Sequence, residues 1–279
     1  MTIIEELLHG SIDMHIHFGP DPSIERRVDA LEAALQAQQA GMRAIVLKSH
    51  DYPTAPVAYT VSQIVKDIRI YGSLSLDFAN GGLNVPAVEA SAKMGAKVIW
   101  MPTFSSAEDR KKRNLPGEGI YILDDDDKVL PQVREIMEVI KGNNMILATG
   151  HLSLKETLVL VDEAKKMGLP KVAVTHPLLN GFSLDEQRQM VRLGAIIEHC
   201  FTDCMPAAEN RLDPRRIVEA VRAVGVENCY LSTDLGQAHN PAPAEGMRVM
   251  IGTMLRVGMT EEEMEILVKK NPAKLLGMD

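Results

Sequence analysis

This sequence is short of the features that mark secreted and membrane proteins. It holds only three cysteines, an odd number that is too small for a disulfide framework and that fits a reducing compartment. No apolar run approaches the roughly 20 residues that a membrane-spanning helix requires. The acidic N-terminal segment, Met1 to Glu6, is unlike a secretory signal peptide. We therefore predict a cytoplasmic protein with no membrane partner.

Positive charge and aromatic side chains are scarce as well. The 30 lysines and arginines are outnumbered by 38 aspartates and glutamates, and the net charge of −8 argues against nucleic acid as a partner. Aromatic residues make up 4% of the chain whereas there are 16 methionines, so we expect a mostly aliphatic core. The content of 46% apolar and 24% charged residues is typical of a globular protein of enzyme size, for which a small molecule is the expected partner.

Short apolar segments alternate with segments of helical period along the whole chain. Eight of the apolar segments are interpreted as buried strands: residues 12–18, 44–47, 70–78, 97–101, 145–149, 171–175, 194–197 and 228–233. Their nearly continuous apolar composition is typical of parallel strands that are covered on both faces. Together with the chain length, this pattern predicts a (β/α)₈ TIM barrel that forms a single domain over residues 1–279.

A doubly wound open sheet is the alternative fold. It would carry a glycine-rich phosphate-binding turn after the first strand, where this chain has Phe18-Gly19-Pro20-Asp21-Pro22 instead. A long connection at about residues 102–130 interrupts the alternation after the fourth strand. It holds a basic run (residues 110–113) and an acidic run (residues 124–127), which we interpret as solvated surface, with an anion-binding lid as the alternative.

The first strand contains the pattern from which the functional argument starts. His15 and His17 are two residues apart, so on a strand both imidazoles project from the same face. Neutral imidazole is the commonest protein ligand for metal ions. A pair of hydrogen-bonded core histidines would give the same pattern, and this motif alone does not separate the two interpretations.

The position of the other polar residues separates them. Six of the eight histidines lie at predicted strand ends, the exceptions being His9 and His239. The polar residues on or at the ends of the predicted strands are His15, His17, Lys48, His50, Asp77, His151, His176, Glu198, His199 and Asp234. In a parallel barrel all carboxyl ends of the strands open on one rim, where active sites lie. Imidazoles with carboxylates suit a divalent cation, so we predict a metal site on this rim.

At this point the sequence resembles the amidohydrolase superfamily of metal-dependent barrel hydrolases. The resemblance rests on Asp13-Met14-His15-Ile16-His17, on His151, His176 and Asp234 in that order, and on the closing segment, residues 271–277. It implies that His15, His17 and Asp234 bind metal. It also implies that His151 and His176 are either further metal ligands or substrate contacts. It also implies that Asp234 accepts a proton from a metal-bound water, so that the resulting hydroxide attacks a carbonyl carbon or a phosphorus.

Two departures from the superfamily pattern are visible. Binuclear members usually carry a bridging carboxylated lysine or a glutamate on the fourth strand, where this chain has Trp100-Met101-Pro102. Lys48 and Glu198 are the available substitutes; Glu198 is expected as a ligand, and Lys48 either as a bridge or as a cationic catalytic contact to substrate. The flanking β-sandwich of many members is also missing, which places the chain with the compact type.

We therefore predict a metal-dependent hydrolase that cleaves an amide, lactone or other ester of a small polar substrate, with Asp234, His176 and Lys48 as catalytic residues. Zn²⁺ is the expected metal, with Mn²⁺ or Fe²⁺ as alternatives, and one or two ions are compatible with the ligand set. The alternatives are a metal-dependent decarboxylase, which an arginine such as Arg26 or Arg27 in the pocket would favour, and a metal- or ligand-binding barrel without turnover. Homo-oligomers are common among such barrels, but the sequence does not specify one.

Overall fold

The computed structural model describes residues 2–208 and 211–278, and its strands run in one parallel direction. The strands are β1 (Ile12–His17), β2 (Ala44–Lys48), β3 (Arg69–Tyr71), β4 (Ser73–Ser75), β5 (Val98–Trp100), β6 (Ile146–Ala148), β7 (Val172–Val174), β8 (Ile196–Cys200) and β9 (Cys229–Ser232). Every residue of β1, β2 and β4 to β7 is buried. This double-sided burial explains why the strands have continuous apolar sequences.

Helices follow the strands and cover the outside of the sheet. They are α1 (Ile3–Leu8), α2 (Ala30–Gln39), α3 (Ala55–Ile64), α4 (Val85–Lys93), α5 (Ala107–Lys112), α6 (Pro131–Gly142), α7 (Leu154–Lys166), α8 (Leu184–Arg192), α9 (Pro214–Val224), α10 (Pro243–Arg256), α11 (Glu261–Glu265) and α12 (Asn271–Leu276), the last two joined by a π-helical turn, Ile266–Lys270. Capping boxes begin α7, α8 and α11 at Ser153, Ser183 and Thr260. None of the described helices is long and apolar enough to cross a membrane.

The predicted third strand is broken into two. The strands pair in the orders β1-β2-β3 and β4-β5-β6-β7-β8-β9, and Gly72 connects β3 to β4. The break has a steric reason, since a Cβ atom at Gly72 would lie 2.3 Å from the Cα atom of Ala55 at the start of α3. Thr54 enters this gap, where its hydroxyl donates to the carbonyl oxygen of Leu47 at 2.6 Å and its backbone N–H donates to that of Ser73 at 2.9 Å.

The first strand meets the segment that follows the last strand. A parallel bridge joins Ile16 to Leu235, and the backbone N–H of His17 donates to the carbonyl oxygen of Leu235 at 2.8 Å. The buried carboxylate of Asp13 accepts hydrogen bonds from the backbone and the hydroxyl of Thr233 at 3.0 and 2.6 Å. The parallel strand order agrees with the predicted TIM-barrel class, which is confirmed. The described residues form nine short strands in place of eight, because the third is interrupted.

The long connection after β5 is ordered and packs on the rim. Its basic run lies mostly in α5, a helix that the sequence analysis did not predict. Its acidic run forms a turn in which the backbone N–H of Asp124 donates to the carbonyl oxygen of Lys128 at 2.9 Å, next to an antiparallel bridge between Leu123 and Val129. The acidic run is thus the turn of a small hairpin that has one bridge.

Candidate metal centre

Two histidines and one carboxylate converge at the carboxyl end of β1. Nε2 of His15 lies 3.1 Å and Nε2 of His17 lies 3.0 Å from the same oxygen of Asp234, Oδ1. Each of the three residues offers a ligand atom within 4.8 Å of the others. They come from opposite ends of the sequence, and the contact between β1 and the segment after β9 brings them together. Two imidazole nitrogens and a carboxylate oxygen are a donor set that suits Zn²⁺ and related divalent ions.

Five histidines form a closed ring around the mouth of the barrel. In order around the ring they are His15, His17, His50, His151 and His176, and the successive distances between ring centroids are 5.3, 4.9, 6.4, 4.9 and, back to His15, 6.4 Å. The predicted ligands His151 and His176 therefore face the same space as His15 and His17. His50, which the sequence analysis ranked below these residues, is part of the same ring.

His50 is held by a buried network of residues that follow β4 and β5. Its Nδ1 lies 2.7 Å from the hydroxyl of Thr103, which in turn donates to Oδ2 of Asp77. Asp77 also accepts from the backbone N–H groups of Thr103 and Ser105 at 3.0 and 2.8 Å. Burial alone would raise the pKa of Asp77, but these donors and His50 lower it to about 2. Asp77 therefore supports the rim as a fixed anion.

The long connection supplies a second support to the ring. Nδ1 of His151 lies 3.1 Å from Oδ1 of Asp109 in α5. A carboxylate in this position fixes the orientation of an imidazole and leaves its other nitrogen for a ligand. Phe104 stacks on His50 with 4.0 Å between ring centroids, and the guanidinium of Arg113 lies 4.6 Å from the centroid of Phe104. Sequence reasoning missed Asp109 and Phe104 because the charge run around them resembles ordinary surface.

Two site residues have strained backbone conformations. His176 has φ = 28° and Asp234 has φ = 51°, both in the region that non-glycine residues rarely adopt. Such strain is concentrated at functional sites, where the surrounding structure maintains it. Nδ1 of His176 is buried and has no hydrogen-bond partner among residues 2–208 and 211–278.

Lys48 lies inside this cluster rather than pointing to solvent. It is 1% exposed, its Nζ is 2.9 Å from Nε2 of His15, and it lies 4.9 Å from the centroid of Trp100. Trp100 occupies the strand where the resemblance to amidohydrolases leads one to expect a bridging residue. Burial lowers the pKa of Lys48, while Asp234 and Glu198 oppose that change.

Glu198 approaches His15 from the other ring nitrogen. Its Oε1 is 3.3 Å from Nδ1 of His15, and the sulfur of Cys200 is 3.7 Å from the same nitrogen. These three residues form a second group with potential ligand atoms within 4.8 Å of one another. Glu198 and Cys200 share one face of β8, so His199 between them projects from the opposite face. Burial raises the pKa of Cys200, which keeps it as a thiol.

The charge states of the ring differ from one histidine to the next. Burial would lower the pKa of His15, but Asp234 on one side and Glu198 on the other raise it to about 9. Burial lowers the pKa of His50 to about 4 and holds the pKa values of His17 and His176 well below the usual range. Three of these imidazoles are therefore neutral at pH 7, which is the form that binds cations.

The two arginines that could favour a decarboxylase do not offer a free guanidinium to the ring. Arg26 makes two hydrogen bonds to Oδ2 of Asp21, at 2.9 and 2.6 Å, and its side chain is 2% exposed. Arg27 donates to the carbonyl oxygen of Ala238 at 3.1 Å.

One family model matches more than half of the chain. It is described as "Family of unknown function (DUF6282)", and it matches residues 10–198. The match includes β1 to β7 and the first part of β8, and so all five histidines of the ring, whereas Asp234 lies beyond it. No curated protein matches the sequence.

Solved structures resemble the chain over nearly its whole length. An amidohydrolase from Pseudomonas aeruginosa is 14% identical, with 98% of each chain covered and a TM-score of 0.64. The probable dipeptidase PvdM from the same organism is 11% identical, with 98% of this chain and 96% of that chain covered and a TM-score of 0.67. A 2,6-dihydroxybenzoate decarboxylase from Rhizobium is 12% identical, with 97% and 99% covered and a TM-score of 0.58. At these identities the comparisons establish the fold, and they confirm the predicted resemblance to amidohydrolases at that level.

Proposed function

We propose that this chain, which belongs to the DUF6282 family of unknown function, is a metal-dependent hydrolase. The convergence of His15, His17 and Asp234 at 3.0 and 3.1 Å carries the proposal. In these contacts the Nε2 atoms of both histidines face one carboxylate oxygen, an arrangement in which a divalent cation can replace the shared protons. The hydrolases among the similar structures support this reaction class by analogy of fold.

The residues present fit a single divalent cation, for which Zn²⁺ is the first choice. His15, His17 and Asp234 would hold it. When bound, such a cation acidifies water and polarises a substrate carbonyl group. The second group of potential ligands, Glu198 and Cys200, faces the other nitrogen of the same His15 imidazole. A neutral imidazole has one nitrogen free to bind a cation, so we propose one ion.

The chain's own groups divide the remaining work. Asp234 is the proton acceptor: burial would raise its pKa, but His15 and His17 hold it well below the usual range, so it is ionised at neutral pH. Lys48 places a positively charged ammonium group in a buried site, where it can stabilise negative charge that develops on a substrate oxygen. His176 and His151 line the opposite side of the ring and bind and orient the substrate.

Metal content tests the site. Elemental analysis of the purified protein should find about one divalent ion per chain, which His15→Ala and His17→Ala should each lower strongly. His9→Ala is the control, because His9 lies on the exposed end of α1. Equal metal content in the wild type and in all three variants would contradict the proposed site.

Turnover tests the reaction. A panel of amides, lactones and other esters with Zn²⁺ or Mn²⁺ added should yield hydrolysis that Asp234→Asn lowers by about 10²–10⁴-fold, the range for loss of a general base. Release of CO₂ from a carboxylate substrate without hydrolysis would favour a lyase instead. Metal binding without either reaction would favour a binding barrel.

A further inference from the structure

A second cavity lies on the same rim, next to the proposed metal site. It has a volume of about 210 Å³ and is lined by Leu179, Thr202, Asp203, Gln237, His239 and Asn240, among others. These residues follow β7, β8 and β9, so the cavity is built from the connections that open on the active-site side of a barrel. Sequence reasoning identified none of them as candidates.

Hydrogen bonds join this cavity to the metal site through one shared wall. The side-chain amide of Gln237 donates to the carbonyl oxygen of Asp234 at 2.9 Å. Asn240 donates to the other end of the Gln237 amide at 2.9 Å. Gln237 is therefore fixed between the two sites, and a substrate that reaches Asp234 can place its other end in the cavity.

Asp203 is the residue of the cavity that indicates a ligand. It is 4% exposed, and its Oδ1 has no hydrogen-bond partner among residues 2–208 and 211–278. A buried polar atom without a partner costs about 1–3 kcal/mol, and buried polar groups in folded proteins are nearly always paired. Burial raises the pKa of Asp203 well above its usual range, and Asp234 adds to the increase. Since Asp203 lines a cavity, a ligand from outside can supply the missing partner.

The lining also indicates the chemistry of that ligand. Among the residues that the structure describes, no lysine or arginine lines the cavity, so an anionic group of a substrate would find no countercharge there. A carboxyl group accepts hydrogen bonds in either protonation state, and the hydroxyl of Thr202 is next to it in sequence. A nitrogen that donates hydrogen bonds fits these acceptors and would give Oδ1 of Asp203 a hydrogen-bond partner.

We propose that Asp203 and this cavity bind an N–H donor of the substrate, an amine or a second amide, while the scissile carbonyl lies at His15, His17 and Asp234. Asp203 is thus a specificity-determining residue. This inference rests on the proposed hydrolase function, since it names the substrate class for that site.

Matched compounds test the proposal. The probes are the p-nitroanilides of glycine, β-alanine and 4-aminobutyrate. Each is compared with the p-nitroanilide of the acid in which a methyl group replaces the amine. With metal-loaded protein, at least one amine compound should exceed its methyl partner by about tenfold or more in kcat/KM, the effect of one well-placed polar contact in a dry site. Asp203→Leu, which keeps the size of the side chain and removes both acceptor oxygens, should abolish this preference.

Binding separates failure of the cavity from failure of the hydrolase. Calorimetry measures the affinity of the same pairs, and it requires no turnover. A preference for the amine that Asp203→Leu removes, without cleavage of any compound, would support the cavity proposal and contradict hydrolysis. Cleavage of both members of every pair at equal rates by the wild type would overturn the cavity proposal. If Asp203→Leu does not fold, Thr202→Val at the same cavity must reduce the preference for the amine.

Discussion

The side-chain nitrogen of Lys48 lies 2.9 Å from Nε2 of His15, the same nitrogen that is 3.1 Å from Asp234. A lysine cation and a carboxylate thus approach the same nitrogen of a predicted metal ligand. This relationship bears on the open question of whether Lys48 is a carboxylated bridge or a cation that contacts the substrate. The carboxylates of Glu198 and Asp234 both stabilise the ammonium form, and a carboxylated Lys48 would add a third anion to them.

Lys48→Met should therefore keep its metal and lose activity. We expect metal content near that of the wild type and a fall in kcat of about 10²–10³-fold, as for removal of one electrostatic contact to a developing oxyanion. Elemental analysis and steady-state kinetics provide the two readouts. Loss of the metal in Lys48→Met, together with an intact mass of the native protein that is one CO₂ heavier in bicarbonate buffer, would instead establish the bridge.

Glu198→Gln should weaken metal binding without changing the ligands. Glu198 meets His15 at Nδ1, away from the nitrogen that faces His17 and Asp234, so its expected role is to orient the imidazole. Loss of such a partner lowers metal affinity by about 10–100-fold. Competition with a chelator measures this change, and the visible spectrum of the Co²⁺-loaded protein should keep its shape. A spectrum typical of a lower ligand number would show that Glu198 binds the ion directly, as the sequence analysis expected.

Gly72→Ala should destabilise the barrel at the break between β3 and β4. The new Cβ atom would lie 2.4 Å from the backbone nitrogen of Ala55, and backbone cannot move aside as a flexible side chain can. We expect a loss of about 2–3 kcal/mol in the free energy of unfolding, at the upper end of overpacking effects. Gly142→Ala at the end of α6 is the matched control, since its Cβ atom would meet nothing within 4 Å. Equal denaturation midpoints for the two variants would contradict this account of the break.

His199 should make the stability of the protein fall in mild acid. Burial lowers its pKa from 6.5 to about 3, so between these values the unfolded chain binds a proton that the folded protein does not. The stabilisation is complete above pH 6.5 and is lost progressively as the pH falls toward 3. At pH 5 the loss from this one group is about 2 kcal/mol relative to neutral pH.

Urea denaturation at pH 7 and pH 5 measures the effect. The difference in unfolding free energy between the two pH values should be about 2 kcal/mol smaller in His199→Gln than in the wild type. His9→Gln, at an exposed position, controls for the substitution itself. The same difference in His199→Gln as in the wild type would mean that His199 is not a source of acid sensitivity.

The sequence allowed the barrel and the first ligands to be predicted because both depend on local patterns. Burial on two faces makes strands such as Ala44–Lys48 continuously apolar, and a two-residue spacing places His15 and His17 on one face. The order of strand ends then placed His151, His176 and Asp234 on the same rim. The interruption at Gly72 was not predicted, because it depends on the approach of Ala55 from another part of the chain.

Long-range packing also determines the parts of the site that sequence reasoning missed. Asp109 reaches His151 only because α5 folds back onto the rim, and its sequence context is that of a charged surface helix. Asp203 has no motif around it, and its isolation follows from the three connections that enclose it. The folded structure also determines which nitrogen of the His15 ring each carboxylate contacts. Spacing along the chain does not predict that pairing.

The burial of Trp100 gives the protein an intrinsic optical probe. It is the only tryptophan in the sequence, its ring centroid lies 5.4 Å from that of His15, and the Lys48 cation lies over it. Indole emission depends on nearby charge, so a change of protonation at these two neighbours alters fluorescence without any label. Titrations of the barrel interior with cations or small molecules can therefore be followed on the native chain, at a single wavelength and in real time.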